Sequence, residues 1–66
     1  MKPASDFNWK EFLNRFGIFI YTGDPEGDLL LIEDEIRELR QLHMIDDEEF
    51  MSAMIEIRKR KNELNS

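Results

Sequence analysis

Apolar side chains recur along this chain in three helical phases, separated by one stretch that has no helical phase at all. In the first, Trp9, Phe12, Leu13 and Phe16 fall at i, i+3, i+4 and i+7, which is one face of an α-helix. Ser5 or Asp6 is the expected N-cap and Gly17 the expected stop, because glycine closes a helix in the left-handed conformation without a Cβ clash. These signals predict a first helix over residues 6–16. In the second phase Leu29, Ile32, Ile36 and Leu39 form a seam that Leu42 extends, over residues 25–42. Asp24 as cap with Pro25 at the first helical position marks its start, although Gly27 in the first turn leaves a start at Asp28 open. Glu33, Asp34, Glu35 and Glu38 are then expected to face outward.

The third phase has the clearest beginning. Asp46 is the N-cap and Glu49 completes a capping box, while Ile45 before the cap meets Phe50 after it as a hydrophobic staple. Phe50, Ala53, Met54, Ile57 and Leu64 make the buried stripe of a helix over residues 46–64, with acids at its start and bases near its end to match the helix dipole. His43-Met44-Ile45 is short enough to fold the second and third helices into an antiparallel hairpin.

Between the first two helices lies Gly17-Ile18-Phe19-Ile20-Tyr21-Thr22-Gly23-Asp24, a β-branched and aromatic run that favours extended backbone. No other stretch offers a partner strand, so residues 17–24 are predicted as an extended apolar connector rather than part of a sheet. Six of the seven aromatic residues lie within the first twenty-one positions, so the N-terminal segment should lie as an aromatic lid on the hairpin. Phe19 and Trp9 are expected in the core, and the connector is expected to cover Leu30 and Leu31. The predicted fold class is all-α: one domain over residues 1–66, a small three-helix bundle with an extended connector between helices one and two.

Composition narrows the picture. Sixty-six residues bury only about 60% of the unfolded surface, so either marginal stability or weak self-association is expected of a monomer. Cysteine is absent, which fits a reducing cytoplasm and leaves stability to apolar packing. No run is long and apolar enough for a signal peptide or a membrane span, so no membrane partner is expected. The net charge of −6 is polarised: residues 1–57 carry five bases against fourteen acids, and residues 58–66 carry four bases against one acid. An acidic body repels nucleic acid and anionic membrane at long range, and only the C-terminal cluster opposes that.

The connector motif, followed by Leu29-Leu30-Leu31-Ile32-Glu33-Asp34-Glu35-Ile36-Arg37-Glu38-Leu39, resembles the YqgQ-like family of short bacterial cytoplasmic proteins over residues 7–57. Tyr-Thr-Gly-Asp after an aliphatic and aromatic run is the specific part. The resemblance implies a three-helix all-α bundle of unestablished biochemical function, for which single-stranded nucleic-acid binding has been suggested. It brings no catalytic residues.

Candidate chemistry is sparse. Asp24, Glu26, Asp28 and Glu35 stand at positions 1, 3, 5 and 12 of a calcium loop, but Leu29 occupies the position where the sharp turn needs glycine, so capping acids are the better reading and no metal or cofactor is expected. His43 is the only histidine, which rules out a paired-imidazole zinc site and suits a helix C-terminus. No serine sits in a nucleophile motif, and so small a body has little room for a desolvated cleft, so no enzyme is expected. Two binding readings remain. Tyr21 with Lys10, Arg15, Arg37, Arg40, Arg58, Lys59, Arg60 and Lys61 would form an aromatic and basic surface for a single-stranded nucleic acid. Alternatively the acidic helices, with Met44, Met51 and Met54 and the edge of residues 18–22, would form a protein-binding adaptor.

Overall fold

The computed structural model describes residues 7–65, and within them three helices and no strand form an all-α bundle: α1 (Trp9–Arg15), α2 (Pro25–Gln41) and α3 (Asp47–Leu64). α1 begins later than the sequence pattern suggests. Asn8 is its N-cap, its side-chain oxygen accepting the Glu11 N–H at 2.9 Å, whereas Ser5 and Asp6 lie outside the described residues. Asp24 and Asp46 precede the other two helices as read, so the start at Pro25 wins over Asp28. Gly27 stands in the first turn, where a Cβ would lie 2.8 Å from Oδ2 of Asp24, an exposed side chain that makes no capping bond and can turn aside.

α2 and α3 pack antiparallel, with Arg40 bonded to Asp47 at one end and Lys61 to Glu33 towards the other. α1 lies against the pair. Its Trp9 ring sits under Arg60 near the end of α3, and its Arg15 pairs with Glu49 near the start of α3, so α1 runs antiparallel to α3 and parallel to α2. A chain that leaves α1 at the hairpin end must therefore return the length of the body to begin α2. Extended backbone covers about 3.3 Å per residue, and that is what the run 17–24 supplies.

The core is Phe12, Ile18, Ile32, Ile36, Ile45, Ala53 and Ile57, with Phe7, Trp9, Leu13, Phe16, Ile20, Leu39, Phe50 and Met54 packed around it. Phe12 meets Phe16 edge-on at 5.2 Å between centroids and Phe7 at 5.3 Å, an arrangement favoured by the ring quadrupoles. Four apolar expectations fail. Leu42, Leu64, Leu30 and Leu31 are exposed: Leu42 is already the C-cap of α2, Leu64 is the last residue of α3, and the connector does not cover the other two because it turns Phe19 outward instead.

Both inter-helix links open with the same closure. Gly17 has φ 68°, and the N–H groups of Gly17 and Ile18 donate to the carbonyls of Asn14 and Leu13. His43 has φ 60°, and the N–H groups of His43 and Met44 donate to the carbonyls of Arg40 and Leu39. This is the Schellman motif twice, with glycine at the left-handed position in one and histidine in the other. The capping box of α3 is only half formed. Asp46 Oδ1 accepts the Glu49 N–H at 2.8 Å, but the Glu49 carboxylate is taken by Arg15 rather than turning back to the cap.

Candidate functional site

Along the connector the side chains alternate as in a strand. Ile18 is buried and Ile20 half-buried against the core, while Phe19 and Tyr21 stand out at 74% and 92% exposed. The expectation of Phe19 in the core is thus corrected: extended backbone sends successive residues to opposite faces, and the two isoleucines take the inner one. Trp9 does pack against the core as expected.

The connector is fastened where it meets α2. The carboxylate of Asp28, the one buried charged side chain among the described residues, accepts the backbone N–H of Thr22 at 3.0 and 3.2 Å and its hydroxyl at 2.6 Å. Gly23 then turns the chain with φ 93° into Asp24, whose own side chain makes no capping bond. Tyr-Thr-Gly-Asp is therefore a structural device that fixes the rim on which Tyr21 stands. Sequence spacing offered Asp28 as an alternative helix start; it lies instead inside α2, with its carboxylate on Thr22. Among the described residues no three acidic or histidine side chains gather to hold a metal ion.

Tyr21 borders a shallow cleft of about 360 Å³ together with Trp9, Leu29 and Arg60 and with the acids Asp28 and Glu63. The Arg60 guanidinium lies over the Trp9 ring at 5.3 Å from its centroid and donates to Glu56 at 3.1 Å. This cleft brings together Tyr21 and one cation of the basic cluster. The other proposed cations scatter. Arg37 and Arg40 border a second hollow at the hairpin turn, with His43 and Phe50, and Arg15 borders a third beside Glu11 and Glu49.

Most of these cations are also engaged. Arg37 bonds Glu33 at 2.6 Å, Lys61 bonds the same carboxylate at 3.1 Å, Arg40 bonds Asp47 at 2.7 Å while lying over Phe50, and Arg15 bonds Glu49 while lying over Phe16. Glu33 was expected to face outward, yet its side chain is only 18% exposed. The hydrogen bond from Arg37 holds its carboxyl below the ordinary 4.5, against the opposing effect of burial and with help from Lys61. Lys10, Arg58 and Lys59 are exposed and without a carboxylate partner among the described residues.

Three helices around one small core, with an open cleft beside an aromatic connector, define a compact helical module. The chain belongs to the YqgQ-like family, whose profile matches residues 4–63. It is 34% identical over 53 residues to a Bacillus subtilis (strain 168) protein named only "Uncharacterized protein YqgQ", a match covering 80% of this chain and 75% of that one. No solved structure matches. The family's function is not established, and among the described residues no helix is long and apolar enough to cross a membrane.

Proposed function

We propose that the protein is a non-enzymatic cytoplasmic binding module that receives an unpaired nucleic-acid strand at the cleft beside Tyr21. The observation that carries this reading is the pairing of a nearly bare tyrosine ring with a guanidinium on one rim. A base stacks on Tyr21 with little regard to its identity, while phosphate meets Arg60 and then Arg58, Lys59 and Lys61 along the end of α3. An acidic body must make such binding weak and steeply salt-dependent.

Titration of single-stranded DNA and RNA oligonucleotides at low salt tests it. Tyr21→Ala should weaken binding about ten- to hundredfold with little change in salt slope, matching the loss of one stacked base. Changing Arg58, Lys59, Arg60 and Lys61 to Gln should make the slope shallower. No binding to either strand type at low salt discards the reading.

A protein-binding role is favoured by a separate observation: Arg15, Arg37, Arg40, Arg60 and Lys61 are already held by carboxylates, and separating them costs part of any phosphate contact. The backbone groups of residues 19–21 make no hydrogen bond among the described residues, which leaves an extended edge beside Phe19. A peptide strand added to that edge would be insensitive to nuclease and to changes at residues 58–61.

A further inference from the structure

The outward face of α3, away from the cleft, carries a second pattern. Asp47, Glu48, Met51, Ile55, Arg58 and Lys59 are all exposed and, at 100° per residue, fall within an arc of about 120° opposite the buried Ala53 and Ile57. Met51 and Ile55 stand one turn apart at the centre, each 59% exposed. Acids lie on the N-terminal side of them and bases on the C-terminal side.

These positions are symmetric about residue 53: 47 with 59, 48 with 58, and 51 with 55. An antiparallel copy of the same stripe, related by a two-fold axis level with residue 53, keeps each flank against the same flank of its mate, so it sets Asp47 against Arg58 and Glu48 against Lys59, each twice over, around a centre where Met51 and Ile55 meet their copies. Such a face is its own complement, the requirement for an isologous contact. We infer that α3 pairs with α3 of a second copy of this chain through this face.

The residues are available for it. Among the described residues Arg58 and Lys59 lack a carboxylate partner, and no cation stands against Glu48. Asp47 gives only Oδ1 to Arg40 and keeps its side chain 83% exposed, so Oδ2 can receive Arg58. A parallel pairing would bring acids against acids and bases against bases, so charge selects the antiparallel arrangement. One helix face of about 18 Å buries less than a standard interface, which makes the dimer weak and its four exposed ion pairs sensitive to salt. Since Arg58 and Lys59 are also the free bases of the α3 terminus, dimerisation and phosphate contact compete for them, and the test is run without nucleic acid.

Sedimentation equilibrium over about 10 µM to 2 mM should show a monomer–dimer equilibrium with Kd of about 0.1–1 mM, loosening about tenfold as salt rises from about 0.05 to 0.5 M. Glu48→Lys alone and Lys59→Glu alone should each weaken association about tenfold or more, because each reversal creates two like-charge pairs. Mixing the two variants should restore association. In the mixed pair the two reversed positions face each other with opposite charge, and the unchanged Lys59 of one copy still faces the unchanged Glu48 of the other. Ile55→Ser provides a second disruption that leaves every charge in place, and circular dichroism checks that all variants keep the helical spectrum. A protein that stays monomeric across the range, a dimer indifferent to all three variants, or a mixture that fails to associate would each overturn the inference.

Discussion

The two links between helices solve the same problem with different means. Each leaves its helix through a left-handed residue, each sinks one isoleucine into the core (Ile18 or Ile45), and each arrives at an aspartate before the next helix. The short link finishes locally, because Asp46 caps α3 directly. The long one does not: Asp24 makes no capping bond, and the chain is held instead by Thr22 on the buried carboxylate of Asp28. A two-helix turn is specified by its own few residues, whereas a crossover the length of the body needs a fastening to the helix it feeds.

Removing the isoleucines should have the largest effect, since both close the core in the same manner. Ile18→Ala and Ile45→Ala should each cost about 2–4 kcal/mol in denaturant unfolding. A cost below about 1 kcal/mol for Ile18 alone would mean the connector is not pinned. The three aspartates grade next. Asp28→Ala should cost about 2 kcal/mol by stranding the part-buried donors of Thr22, Asp46→Ala about 1 kcal/mol through loss of a cap, and Asp24→Ala only a few tenths. The reverse order for Asp28 and Asp46 would break the contrast drawn between the links.

The left-handed residues sharpen it further. Gly17→Ala has open space around its Cβ, so its expected cost of about 1 kcal/mol is purely backbone strain. His43→Gly should move the other way and stabilise by about 0.5 kcal/mol, the relief of strain being partly offset by added freedom in the unfolded chain. Finally, acid should loosen the hairpin at Glu33. The depressed Glu33 carboxyl binds fewer protons in the folded state, so its contribution is fully present above its ordinary 4.5 and is lost as pH falls through and below that value. Thermal melting from about pH 7 to about pH 3 should fall less steeply for Glu33→Gln than for the native chain.

The helices were legible because each carries a period and a cap, and Asp46 with Glu49 placed α3 to within a residue. The start of α1 was misplaced at Ser5 or Asp6, although Asn8 followed by Glu11 repeats the signal used for α3. Phe19 was misplaced because an apolar run on extended backbone has two phases, and only the neighbouring core decides which faces inward. The roles of Asp28 and Glu33 were beyond the sequence for different reasons. Thr22 is six residues from Asp28 across a turn of undetermined shape, and Lys61 reaches Glu33 from twenty-eight residues away. Of the proposed surface, only the meeting of Tyr21 and Arg60 in one cleft emerged, because the other cations depend on which acids the packing brings near them.

α1 has only seven residues, well under the length at which a helix persists by itself in water. Its hydrogen bonds therefore last only while Phe12 remains seated, and the connector's isoleucines share that seat. Helix and connector should exchange their amide hydrogens as one unit, ahead of the α2–α3 hairpin. The segment that carries Tyr-Thr-Gly-Asp thus draws its order from the hairpin beneath it rather than from any helix propensity of its own.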